Sequence, residues 1–160
     1  MAEFMGTFFL CLIGNAAVHE SVLTGGSAFQ VCFAFGMAVT FGVYISAGVS
    51  GGHINPAVTV AMASLGRLGD GIGQNAGMAC VYILSQILGA FVSSICVWIA
   101  YAPAEAYLIE KHNMSAIGMA GLYATWPTGE FDVSQVRFLC NIYLCTRQLP
   151  HRYLLGYTFL

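Results

Sequence analysis

Between Ser21 and Gly66 the chain carries no Asp, Glu, Lys or Arg, and none appears again between Gly71 and Ala104. A helix with one face in water needs polar or charged groups along that face, and these stretches have almost none to offer. A helix crossing a bilayer needs roughly 20 predominantly apolar residues. Each stretch is long enough to span, so the solvent that suits them is lipid. The charged share of the 160 residues is 8%, against about a quarter in soluble domains. A formal net charge of -2 and the lack of any Lys/Arg run exclude nucleic acid as a partner, because such binding rests on neutralising phosphates.

Cysteine usage points the same way. Six cysteines in a small secreted chain would suggest a disulfide framework, but Cys11, Cys32, Cys80 and Cys96 fall inside apolar runs and read as core residues. No C-x-x-C spacing occurs, so no metal is assigned, and no cofactor is implied. The first apolar stretch lacks the basic start of a secretory signal and carries Glu3 instead, which makes it a retained membrane helix. Glu3 reads either as a residue at the membrane surface or as a buried carboxylate paired with protein. Burial is the preferred reading, since intramembrane acids usually have partners.

The chain then divides into spans. The first covers about 3–23, interrupted by Asn15 and His19 near its far end, and a Gly25-Gly26-Ser27 turn follows. The second covers about 28–47 and places Ala34, Ala38, Gly42 and Ser46 four apart, a stripe that lets another helix approach closely. A third, about 78–101, contains Gln86 and the Gly89/Ser93 small pair, and Pro103 is expected to end it. Residues 103–135 collect Glu105, Glu110, Lys111, His112, Glu130 and Asp132 and read as an aqueous loop. Arg67 places the 48–73 side in the cytoplasm, with that loop outside, and Asn113-Met114-Ser115 is a glycosylation acceptor consistent with this orientation. After Val136, Arg137, Arg147 and Arg152 break the apolar pattern. Residues 133–160 are therefore read as a divergent tail with a short interfacial helix at most. The fold class is an all-α membrane protein.

Residues 48–66 differ from all the spans. A helix from Pro56 to Leu65 would be about 15 Å long, roughly half of a 30 Å hydrocarbon core. It cannot cross, and it has no basic face with which to lie on a membrane surface. Preceded by Gly-rich backbone, it fits a re-entrant half helix whose irregular backbone lines a cavity or is buried in protein. Asn is a favoured N-cap and Pro a favoured first residue, so Asn55-Pro56-Ala57 starts that helix. Its N-terminus brings about half a positive charge to mid-membrane, which repels cations and protons. An Asn whose carbonyl caps the helix keeps its NH2 for a passing hydroxyl or water. The C=O groups of Gly51, Gly52, His53 and Ile54 would form a ladder of acceptors for a neutral polar solute. His53 reads as a neutral, hydrogen-bonded structural residue ahead of a proton relay.

The run S-G-G-H-I-N-P-A-V-T resembles the first signature loop of the aquaporin (major intrinsic protein) family. Around it, A-E-F-M-G-T-F resembles the start of the family's first helix, F-A-F-G-M-A-V-T-F-G-V-Y the second and S-Q-I-L-G-A-F the third. The segment A-G-L-Y-A-T-W-P resembles the third loop of the glycerol-conducting branch. The likeness covers about residues 2–132, which implies the amino-terminal half of an aquaporin-like fold: three spans and one re-entrant half helix.

Carried over, the resemblance implies that Asn55, Pro56 and Ala57 form the first pore half helix and that Gly51, Gly52, His53 and Ile54 line the pore. Glu3 would support the loop backbone, and Phe35 falls where the family places an aromatic of the selectivity constriction. Core packing is the other reading of Phe35. The family's second Asn-Pro-Ala half helix and its constriction arginine are absent, and the tail from 133 replaces the expected fourth helix, so the expectation is a truncated channel. The function it implies is passive passage of water, glycerol and similar small polar solutes, with no enzyme chemistry. The alternative is a non-conducting subunit assembling with full-length relatives. Membrane lipid is the surrounding partner, a tetramer the assembly and the plasma membrane the location that the resemblance implies.

Overall fold

A computed structural model describes residues 1–124, and every described element is helical: α1 Ala2–Thr24, α2 Ala28–Ser50, α3 Pro56–Ser64, α4 Ile72–His112 and α5 Ala116–Ala120. The expectations for Trp126-Pro127, Glu130, Asp132 and the 133–160 tail lie outside the described residues. α1, α2 and α4 are long and apolar enough to cross a membrane. α1 is central: it packs on α2 on one side and α4 on the other, while α3 rests on α4.

Local chemistry sets the joints. Gly25 closes α1 at φ 67, a left-handed angle that glycine takes without penalty. Two residues later the Ser27 hydroxyl accepts from Gln30 N–H at 3.3 Å to start α2. Between α3 and α4 the buried Asn75 amide clasps its own loop, accepting from Leu68 N–H at 2.8 Å and donating to the C=O of Gly69 and Gly71.

The small-residue stripe of α2 is a packing face, with Ala38, Gly42 and Ser46 buried. A Cβ on Gly42 would sit 2.7 Å from the carbonyl oxygen of Gly6 on α1. On the other side of α1, a Cβ on Gly89 of α4 would sit 2.4 Å from the carbonyl oxygen of Phe4. Both seams therefore bring backbone against backbone, the arrangement that stabilises helix pairs where lipid supplies no hydrophobic drive.

Two expectations are corrected. The helix that holds the expected third span does not stop before Pro103: α4 extends over 41 residues, about 60 Å, with Pro103 inside it. A mid-helix proline loses one bond, here to the Ile99 carbonyl. The turns beyond it persist because Glu105 and Leu108 are buried. Glu105 to His112 thus belong to a helix end and not to a loop. Cys80 and Cys96, read as core, are exposed on α4. An outward-facing site in lipid is as apolar as a core, so hydropathy alone does not distinguish the two.

Candidate functional site

A short helix follows the Gly-rich loop. α3 has only nine residues, about 13 Å, and begins at Asn55, whose Oδ1 accepts from Ala57 N–H at 2.8 Å. Pro56 occupies the first helical position, where its missing N–H costs nothing. Among the described residues, Asn55 Nδ2 meets no acceptor, and the carbonyls of Gly51, Gly52, His53 and Ile54 receive no hydrogen bond. The backbone reaches this form through three positive-φ residues on either side of His53: Gly51 at φ 86 and Gly52 at φ 67 before it, and Ile54 at φ 42 after it.

A positive φ at a β-branched residue costs roughly 1–3 kcal/mol and needs surroundings that impose it. They are visible at Ile54. Its side chain is buried, and a Cβ on Gly6 would lie 2.5 Å from Ile54 Cγ2, while one on Gly42 would lie 3.2 Å from Cδ1. The side chain is wedged into the place where the α1–α2 seam has no side chains of its own.

The second constraint is Glu3, 2% exposed on α1. One carboxylate oxygen accepts from His53 N–H at 3.0 Å and from the Ser50 hydroxyl; the other accepts from Ile54 N–H at 2.7 Å and Gln86 Nε2 at 2.7 Å. Gln86 also donates to Thr59 Oγ1 at 2.9 Å, and Thr59 donates to the Asn55 carbonyl at 3.1 Å. With the Thr59 proton so used, His53 Nδ1, 3.2 Å from Thr59 Oγ1, is assigned as the donor. His53 is buried and rests edge-on against the Tyr82 ring at 5.3 Å. One carboxylate thus ties α1, the end of α2, the loop and α4 together, and a Thr–His pair extends the tie to α3.

The structure brings Glu3, Gly51, Gly52, His53, Ile54, Asn55, Pro56 and Ala57 into one region. Phe35 lies apart, about 22 Å along α2 from Ser50. Its ring covers Gly14 of α1, where a Cβ would meet Phe35 Cε1 at 2.2 Å, and packs on the Val18, Val31, Leu108 and Leu122 cluster. Sequence reasoning missed Ser50, Thr59 and Gln86 as partners of the loop. It also missed a second buried group around His19 and Glu105. One signal was available: Glu3, Thr7, Cys11, Asn15 and His19 recur every fourth residue, a polar line down one face of α1.

The chain has known relatives. A sequence profile described as Major intrinsic protein matches residues 1–135. The chain belongs to the major intrinsic protein family. Relatives within it include Aquaglyceroporin-2 of Rhizophagus irregularis, 35% identical over 132 residues, which cover 79% of this chain and 40% of that one. Another is Glycerol uptake facilitator protein-like 6 of Lactiplantibacillus plantarum, 43% identical over 120 residues, 74% of this chain and 51% of that one. Among solved structures, the aquaglyceroporin from Plasmodium falciparum superimposes with a TM-score of 0.59 at 32% identity, covering 67% of this chain and 43% of the other. The chain therefore spans about half the length of these relatives. Major intrinsic proteins are channels and not enzymes, and this member shares their membrane-spanning helices.

Proposed function

We propose that this chain supplies one half of a passive channel for water, glycerol and similar small neutral solutes. The observation that carries the reading is the run of carbonyls from Gly51 to Ile54, leading to the Asn55 amide nitrogen, that meet no hydrogen-bond partner among the described residues. Acceptors in series followed by a donor replace the hydrogen bonds a hydroxylated solute gives up on leaving water. The N-terminus of α3 adds a positive potential that discourages cations. In this reading Pro56 and Ala57 complete the pore end of the half helix, Glu3 fixes the height of the loop, and Phe35 narrows the path at a second level. The relatives' names, aquaglyceroporin and glycerol uptake facilitator, support glycerol as well as water. The plasma membrane and a tetrameric assembly are part of the same proposal.

One half helix reaches only to about mid-membrane, and the rest of the path needs walls whose backbone groups are satisfied. Reconstituted alone, the chain is expected to conduct no faster than lipid. Reconstituted with the carboxy-terminal half of a homologous aquaglyceroporin, it is expected to restore glycerol and water flux, read by stopped-flow light scattering. Asn55→Leu should abolish that flux, and Asn55→Asp, which keeps the capping acceptor but loses the amide donors, should reduce it. Paired halves that conduct no better than empty liposomes, or equally well with Asn55→Leu, would overturn the proposal. No flux in any combination despite confirmed pairing would favour the non-conducting subunit.

A further inference from the structure

A second buried carboxylate lies toward the other end of α1, outside the loop site. His19 is fully buried. Its Nδ1 is 2.8 Å from the Asn15 carbonyl, an atom that only accepts, so Nδ1 carries a hydrogen. Its Nε2 is 3.0 Å from Glu105 Oε1 on α4, and the Tyr123 hydroxyl donates to that same oxygen. With Tyr123 donating to Oε1, the 3.0 Å contact between Oε1 and Nε2 is a hydrogen bond only when a hydrogen lies between them, on Nε2 or on the carboxyl. The closed cluster therefore holds one proton between His19 and Glu105 that a neutral imidazole facing a carboxylate would lack.

The other groups around it are few. The rings of Tyr101 and Tyr123 lie 4.9 Å from His19, and Glu20 accepts from the Tyr101 hydroxyl at 2.9 Å. α2 sends only Val31 and Phe35 to the adjoining apolar cluster. Burial, and then the Glu105 carboxylate beside it, push the Tyr123 phenol well above its usual range. Tyr123 thus keeps its hydrogen at any ordinary pH and is a permanent donor. The remaining hydrogen of the cluster is the one in the 3.0 Å contact between His19 and Glu105.

We infer that His19, Glu105 and Tyr123 form a proton-dependent latch fastening residues 113–124 to the α1–α4 pair. Removing the shared proton sets the Nε2 lone pair against a buried carboxylate. Adding one leaves a buried imidazolium opposite a neutral carboxyl. Either change leaves buried charge or lone pairs unanswered, which burial makes costly. The fastened segment carries Leu122, Met114 and Met119 into the same cluster as Val18 and Leu108, so release of Tyr123 loosens apolar packing too.

The test is hydrogen–deuterium exchange of the backbone amides of residues 119–124 in the full chain in detergent, corrected for intrinsic exchange. The measurements run from about pH 5 to about pH 9, a range that brackets the ordinary imidazole value of about 6.5. Exchange should be about tenfold slower at intermediate pH than at either end. In His19→Gln the amide donates to Glu105 with no proton to lose, so the alkaline rise should vanish while the acid rise stays. Glu105→Gln is a second route: Tyr123 and Nε2 share Oε1, so with its nitrogen at that position the amide donates to neutral Nε2 and the Tyr123 bond is given up, and exchange should be faster at intermediate pH with no further alkaline rise. Tyr123→Phe should speed exchange several-fold at every pH. A flat profile in the unmodified chain, or an alkaline rise that persists in both glutamine variants, would overturn the latch.

Discussion

Glu3 and Glu105 are both buried acids in apolar helices, and their partners differ in kind. Glu3 is answered by two backbone N–H groups, a hydroxyl and an amide. None of these donors titrates near neutral pH. Glu105 is answered by a histidine and a phenol. The first carboxylate is tied into backbone and holds under all ordinary conditions, whereas the second depends on one proton. Donor chemistry, more than burial, separates a permanent joint from a conditional one.

The largest effect should come from breaking the permanent joint. Glu3→Leu strands the buried N–H groups of His53 and Ile54, at about 1–3 kcal/mol for each one left unmet, while Ser50 and Gln86 keep Ser46 and Thr59 as second acceptors; a loss of about 3–5 kcal/mol is expected. Denaturation in mixed micelles should show it, and a variant as stable as the parent would contradict the role given to Glu3. Close to that joint, Gly89→Ala drives a methyl against the Phe4 carbonyl and should cost about 1–3 kcal/mol. Gly36, where an added Cβ meets nothing within 4 Å, is its control: Gly36→Ala should be neutral or stabilising by up to about 1 kcal/mol. Equal losses at the two positions would mean the α1–α4 seam is looser than it looks.

Glu105→Leu sharpens the comparison. It removes the shared partner of the Tyr123 hydroxyl and His19 Nε2, two side-chain groups against the two backbone N–H groups at Glu3, so a loss of about 1–2 kcal/mol is expected in the same assay. A penalty matching that of Glu3→Leu would erase the distinction between the joints. The smallest effect is on orientation. With the Glu3 end at the cytoplasmic side and the Glu105 end outside, Asn113, exposed at the end of α4, should accept a glycan in eukaryotic cells. Treatment with a glycosidase should then shift the chain on a gel and leave Asn113→Gln unchanged. Labelling of a cysteine at 113 only from the cytoplasmic side would reverse the assignment.

Much of the loop was legible because its determinants are local. Paired glycines, an Asn-Pro cap and too few apolar residues to cross a membrane are all read along the chain, and so was the small-residue stripe of α2. What was not legible depends on partners distant in sequence. Gln86 looked like a stray polar residue in a span, yet it lies 83 positions from the Glu3 it binds. Glu105 looked like loop material because a charged residue after a proline signals water. The His19 that keeps it buried is 86 positions away. The extra length of α4 was hidden for the same reason, since burial outweighs the single hydrogen bond lost at Pro103. The pore role of Asn55 and Phe35 rests on family likeness and on chemistry, and flux measurements are what address it.

The wedge at Ile54 also bears on the order in which the protein is made. Its socket is built from Gly6 of one helix and Gly42 of another, so it does not exist until those helices lie side by side. Residues 51–55 therefore cannot seat while the first hairpin is open. A ribosome delivering this chain into a membrane would first insert two spans and let them pair, and only then could the loop dip back between them. Because Ile54 sits at a backbone angle it would leave if released, a hairpin that fails to close would let the loop spring outward, presenting an unseated apolar segment to whatever cellular machinery inspects newly inserted membrane proteins.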